Sequence, residues 1–335
     1  MMSRSDLLTL LSPKGPRLDY DGHNLLFVVG CPRSGTTWLQ RLLASHPKIR
    51  TGQESHLFQH YIGCQLRNWR VAAEQRFRGG VGMACYFTEE EFLHIMKSYL
   101  LILTEPMVGH LGPGEFFLEK SPSNGLFLPE IFELLPKARV IHVLRDARDV
   151  VSSLISREAW ISEWAPRKAA VAGNWWAMHI KAVRDARPQL PPEQFLEIRY
   201  EDLSRSPIDV LRGCADFLKL GWDASEIAKA VDANRASRAR ANGGGSPIPL
   251  SGEVAKRNGP VVIEPEGFIR KAAPGAWRND LNLYQKFRVW RDLRGLMEEV
   301  GYTWPKLMDL SFSFLSDSVD LTKVLLSPGK WRGKG

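Results

Sequence analysis

Cysteine is scarce in this chain: four in 335 residues, Cys31, Cys64, Cys85 and Cys214, with no CxxC pair and no Cys/His metal spacing. That argues against a disulfide-stapled scaffold and a zinc module and favours a reducing compartment. Long apolar runs are also lacking. The longest, residues 25–29 and 100–103, fall far short of the roughly 20 residues a membrane-crossing helix needs. The opening MMSRSDLLTLLSPKG holds only a broken apolar patch, too short for a secretory signal. These absences lead us to expect a soluble, cytoplasmic protein with no membrane span. There is no internal repeat, lysine-rich tail or basic–aromatic periodicity, so neither a solenoid nor a nucleic-acid partner is expected. No acidic cluster has metal-ligand spacing, and no metal is expected.

What is present suits a large globular domain: 44% hydrophobic residues, 24% charged, and a net charge of +8. A basic balance fits an anionic small-molecule partner as well as a merely basic surface. Apolar runs at residues 25–29, 116–118, 138–144 and 195–199 read as buried strands, with a shorter one at 48–51. Helical spacing falls between them, over 36–43, 88–103, 126–135, 147–156, 167–187 and 207–218. Strands alternating with helices imply an α/β fold: three layers, with a central, mainly parallel sheet flanked by helices. We read a single domain over 1–335, with a core at 20–300 and a C-terminal tail at 305–335. Residues 237–265, containing Gly243-Gly244-Gly245-Ser246-Pro247, read as a mobile loop, and 281–300 as a helix. Residues 66–110 read as an insertion available for acceptor binding. The tryptophans Trp160, Trp164, Trp175 and Trp176 read first as core packing and second as stacking surface for a sugar or aromatic acceptor.

The chain is organised around LLFVVGCPRSGTTWLQ, residues 25–40. A buried strand runs into a turn from Gly30 to Gly35, and a helix follows from Thr36. Such a junction directs unpaired backbone N–H groups and the positive end of a helix dipole at one point, a cradle for an anion. Arg33 adds a full charge, and Ser34, Thr36 and Thr37 add hydroxyls. The frame Gly30-xxxx-Gly35-Thr36-Thr37 is that of a nucleotide-triphosphate loop, except that Thr36 occupies the lysine position. Without that lysine a triphosphate is disfavoured while a phosphate cradle remains.

Ligands of doubly wound sheets lie beyond the C-terminal strand ends. Glu54, Lys120 and Arg145 fall there, together with the loop. Taken alone, Arg145 is equally a salt-bridge partner for Asp146 or Asp149, and Glu54 an exposed loop carboxylate.

Three segments, in order, resemble one family. CPRSGTTWLQ is similar to the 5′-phosphosulfate loop of sulfotransferases that use 3′-phosphoadenosine-5′-phosphosulfate (PAPS). VLRDARDVVSS resembles their 3′-phosphate motif, which implies that Arg145 and Ser153 hold that phosphate through paired, charge-assisted bonds. FIRKAAPGAW is similar to their closing segment, with Ala272 where many members have glycine. It implies contributions from Arg270, Lys271 and Gly275. Trp38 and Tyr200 fall where the family places adenine-contacting aromatics, and both also suit a core.

The resemblance also implies the reaction: a sulfuryl group moves from PAPS to an acceptor hydroxyl of a sugar, tyrosine or small molecule, leaving adenosine 3′,5′-bisphosphate (PAP). The cytosolic branch places its base in a Lys-Thr-His segment. Here that segment reads Lys120-Ser121-Pro122, without the histidine. Glu54-Ser55-His56 instead resembles the carbohydrate, protein-tyrosine and bacterial branches, whose base is a glutamate. Glu54 is thus the expected base, His56 orients it or the acceptor, and Arg33 and Lys120 neutralise charge on the phosphosulfate. A homodimer is compatible with this reading. Two alternatives stand beside it: a P-loop nucleotide kinase, and a nucleotide-binding protein without catalysis.

Overall fold

The computed structural model describes residues 19–74, 82–156, 163–234, 248–249, 261–262 and 273–326. These residues divide into two compact units. One takes the chain up to Arg145 and from Met178 to Pro274; the other takes Asp146 to Ala177 and the chain from Gly275 onward.

The first unit is built on five parallel strands: β1 (Leu25–Gly30), β2 (Ile49–Thr51), β3 (Phe116–Glu119), β4 (Arg139–Leu144) and β5 (Phe195–Arg199). Their spatial order is β2-β3-β1-β4-β5. Register is set by pairs such as Leu25 with Phe117, Leu26 with Arg139 and Val140 with Phe195. Both faces of the sheet are covered, which is why the strands are continuous apolar runs rather than alternating ones. On one face Leu25, Phe27, Val29, Phe117, Val140 and Phe195 form a core. It takes in Leu66 of α2 (Gly63–Glu74), Met96 and Leu100 of α3 (Glu89–Val108), and Ile131 of α4 (Leu128–Leu134). On the other, Leu26, Val28, Leu118, Ile141, Val143 and Ile198 pack with Leu39, Leu42 and Leu43 of α1 (Thr36–Leu43).

The helix expected at 88–103 runs from Glu89 to Val108. Thr88 caps it, accepting from the Glu91 N–H while Glu91 bonds back to the Thr88 N–H. Because α2 and α3 bury apolar residues in the main core, residues 66–110 supply core as well as surface. Helix α2 buries only Gly63, Leu66 and Trp69, and its weak periodicity hid it from sequence reasoning.

The second unit contains α5 (Ala147–Leu154), the first half of α6 (Ala169–Ala186), the short α7 (Trp277–Asp280), α8 (Leu283–Glu299) and α9 (Lys306–Leu326). Asp146 caps α5 and pairs with Arg148, whose guanidinium lies over the rings of Trp277, at 4.4 Å, and Trp304, at 4.8 Å. Trp176 is fully buried here, whereas Trp164 stacks on Trp175 and stays 43% exposed. Trp160 lies outside the described residues. Of the expected loop at 237–265, only Ile248–Pro249 and Val261–Val262 are described, as a two-stranded antiparallel pair.

Candidate active site

The order of the sheet reverses at β1, with β3 on one side and β4 on the other, so the crevice rule places a site at the end of β1. The turn after β1 is held by a Ser34 N–H bond to the Cys31 carbonyl, 3.0 Å. Two residues have left-handed backbone there, Arg33 at φ 75° and Gly35 at φ 96°. Only glycine fits at 35: a Cβ would lie 2.4 Å from the Tyr200 ring. Gly30 is similarly closed, its Cβ position being 2.7 Å from the Val143 carbonyl oxygen. Gly35 caps α1, and among the described residues the N–H groups of Gly35, Thr36 and Thr37 have no acceptor in the chain. Three converging donors at the positive end of an eight-residue helix match an anionic group of phosphate size. Ser34, Thr36 and Thr37 are each buried, and burial pushes the Cys31 thiol well above its ordinary pKa, so it is packing rather than a nucleophile.

Neighbouring strand ends close on this loop. Arg145, immediately after β4, donates from Nη1 to the Arg33 carbonyl at 3.0 Å and lies 4.0 Å over the Tyr200 ring. Its charge therefore sits against the loop, 8% exposed. Tyr200 is itself 2% exposed, with its ring between Gly35 and Arg145, a core position. Trp38 is half-buried, donates from Nε1 to the Asn234 carbonyl at 2.9 Å and meets Tyr200 edge-on.

On the other side, Gln40 of α1 donates to Thr51 Oγ1 at 2.8 Å and to the Gly52 carbonyl at 3.0 Å. Thr51 donates in turn to the Leu118 carbonyl. These bonds tie the loop's helix to the ends of β2 and β3, from which Glu54 and Lys120 emerge. Lys120, 3% exposed, donates from Nζ to Glu54 Oε1. His56 Nε2 lies 3.4 Å from Glu54 Oε2, and its Nδ1 faces Gln59 Oε1 at 3.2 Å. The Glu54 side chain keeps 35% of its surface exposed, enough for an acceptor to reach it. The expected trio of Glu54, His56 and Lys120 is thus assembled. After His56, which is left-handed at φ 49°, the chain forms a wide helical turn over Leu57–Tyr61.

Sequence reasoning missed Glu119. It ends β3, is 1% exposed, and sits immediately before Lys120. The available signal was a carboxylate in a fully buried strand, a position that demands hydrogen-bond donors.

Arg270 and Lys271 lie outside the described residues. Ser153 is buried on α5, in the second unit. Gly275, in the same unit, has left-handed backbone at φ 81°; its N–H donates to Asp149 Oδ2 at 2.7 Å, beside a Trp277 N–H bond to Oδ1 at 3.0 Å.

A sequence model of the sulfotransferase family matches residues 26–224. The chain is 27% identical over 210 residues to a protein-tyrosine sulfotransferase A of Caenorhabditis elegans, covering 61% of this chain and 53% of that one. It is 29% identical over 207 residues to a putative protein-tyrosine sulfotransferase of Caenorhabditis briggsae, covering 59% and 66%. The matched region thus spans about half to two thirds of the length of these relatives. A mouse sulfotransferase crystallised in complex with PAP shares the fold, with a TM-score of 0.51 at 17% identity over 89% of this chain and 90% of that one.

The expectation of a cytoplasmic location is corrected by these relatives, which are protein-tyrosine sulfotransferases. Among the described residues no helix is long and apolar enough to cross a membrane. The glycine loop, the basic group closing on it and a family match over more than half its length lead to one conclusion: the chain belongs to the sulfotransferase family.

Proposed function

We propose that this protein transfers the sulfuryl group of PAPS to an acceptor hydroxyl, with Glu54 as general base. The carrying observation is the contact between the Glu54 carboxylate and the Lys120 ammonium at adjacent strand ends. The acceptor oxygen attacks sulfur in line, its proton passes to Glu54, and the bond from sulfur to the phosphate oxygen breaks. PAP leaves. Lys120 and Arg33 offset the negative charge that grows on the leaving phosphate oxygen, and the Gly35, Thr36 and Thr37 amides hold the 5′-phosphate. Arg145 supplies positive charge for the 3′-phosphate, and the motif likeness assigns Ser153, Arg270 and Lys271 to the same group. Trp38 keeps an accessible ring for adenine. His56 orients Glu54 or the acceptor. The relatives make a peptide tyrosine the first acceptor to try; sugar and small-molecule hydroxyls follow, and a homodimer is checked by light scattering.

Thermal-shift titration with PAP, ADP and ATP–magnesium tests the donor site. PAP is expected to raise the unfolding midpoint at the lowest concentration, since a ligand that binds only the folded state stabilises it by mass action. Preference for ATP–magnesium would sink the reading. Transfer from ³⁵S-labelled PAPS to an acidic tyrosine peptide, and then to a sugar panel, tests the acceptor.

A further inference from the structure

Glu119 is a buried anion that no described cation pairs with. Its carboxylate instead accepts five hydrogen bonds from neutral donors. Oε1 receives the Ser55 N–H at 3.2 Å, the Ser55 hydroxyl at 2.7 Å and the Ser121 hydroxyl. Oε2 receives the Ser121 N–H at 3.2 Å and the Asn124 amide at 2.7 Å.

The acceptor groups of these same partners face the turn that carries Glu54. Ser121 Oγ accepts the His56 N–H at 2.9 Å, Ser55 Oγ accepts the Leu57 N–H at 3.2 Å, and Asn124 Oδ1 accepts the Phe58 N–H at 3.2 Å. Four successive amides, those of Ser55, His56, Leu57 and Phe58, are therefore oriented by one carboxylate, directly or through one side chain. They include the left-handed residue His56, whose conformation is unfavourable unless its surroundings impose it.

Charge is what this arrangement requires. A carboxylate accepts at both oxygens, whereas an amide of the same shape offers one oxygen and turns two donors toward the other position. A buried, uncompensated anion is expensive, and donors from two distant segments are a way to stabilise it. A packing role alone would be met by an apolar side chain, as at Phe117 on the same face of β3.

We infer that Glu119 is a positioning residue for sulfuryl transfer: it locks the turn at 55–58 to the end of β3, so that the Glu54 carboxylate is held against Lys120. The inference rests on Glu54 being the base. It concerns how that base is held, and it adds Ser55, Ser121 and Asn124 as the relay.

Glu119→Gln tests it by hydrogen exchange and kinetics on the full chain. In the wild type the amides of residues 55–58 should be protected; in the variant their exchange should accelerate by about tenfold or more relative to the strands. With ³⁵S-labelled PAPS and the acidic tyrosine peptide, kcat should fall by about 10²-fold, the size of effect that a displaced catalytic group produces. The PAP thermal shift should be retained. In a Glu54→Gln background the same change should lower turnover no further, because both act through one group. Unchanged exchange at 55–58, or wild-type turnover in folded Glu119→Gln, overturns the inference, and so does a loss that multiplies with that of Glu54→Gln. Near-normal turnover in Glu54→Gln alone, or no sulfation of the peptide by the wild type, instead strikes the proposed base or acceptor, and the exchange experiment still decides whether Glu119 is the lock. If Glu119→Gln does not fold, Ser121→Ala, which removes only the hydroxyl between Oε1 and the His56 N–H, carries the same prediction at smaller size. Wild-type exchange and turnover in that variant would be equally decisive against it.

Discussion

The loop at Gly30–Thr37 and the turn at Glu54–Phe58 flank the same crevice and are held in opposite ways. The loop is shaped by its own residues. Two glycines permit backbone approaches that a Cβ would block, and the start of α1 aligns three amides. The turn is held mostly from elsewhere. The Leu57 N–H finds Ser55 nearby, but the amides of Ser55, His56 and Phe58 are directed by Glu119, Ser121 and Asn124, more than sixty residues away in the chain. A binding cradle can thus be written into one short segment, whereas the base beside it depends on a second segment being correctly placed.

The largest effect that could break this contrast is expected from Gly35→Ala. Forcing left-handed backbone on alanine costs about 1–2 kcal/mol. The clash with the Tyr200 ring adds about 1–3 kcal/mol of overpacking. A lowered unfolding midpoint and no stabilisation by PAP are the expected result. Normal PAP binding would show that the loop does not rely on its own backbone.

Glu54→Gln comes next and should separate the two regions. It removes the base without touching the loop, so PAP should bind as before while turnover falls by about 10²–10⁴-fold, the usual range for a general base. Activity near that of the wild type would move the base to His56 or another group.

The smallest effect concerns a third carboxylate, Glu197 on β5, which sharpens the comparison because charged neighbours hold it. Burial works against its ionisation. The His142 hydrogen bond, at 2.9 Å, and the charges of His142, Arg184 and Arg199 together outweigh that, leaving its pKa below the ordinary 4.5. A carboxylate lowered on folding adds stability above its unfolded pKa, and that stability is lost as pH falls through the lower folded value. Glu197→Gln should therefore melt slightly below the wild type at neutral pH, and the gap should close in acid as pH falls below the ordinary carboxylate range. Paired melting curves across pH check this; a gap that does not change with pH would refute it.

Legibility in the sequence follows the same division. Strands buried on both faces, such as β1 and β4, announced themselves as apolar runs, and α1 and β5 carried clear local signals. The cradle was readable because its glycines and hydroxyls are contiguous. Glu54 and Lys120 were readable as strand-end groups and through the likeness of their segments to a known family, but their contact is a property of the fold. Glu119 was not singled out, since nothing within its own segment shows that Ser55 will donate to it. The bond from the Gly275 N–H to Asp149, far away in sequence, was hidden for the same reason.

The parallel pairing of β1 has a further consequence, for the order in which the protein can assemble. β1 leaves the ribosome before its partners, which are Phe117 and its neighbours on one side and Arg139 to Val143 on the other. No hairpin can shelter it in the meantime. Its apolar run must wait, exposed, through the synthesis of about a hundred residues, and pairings of such long range are slow to close and open to aggregation. The cradle motif is therefore made well before the strands that fix its shape, and nascent chains cut short before β3 should need chaperone protection although they already contain the entire cradle sequence.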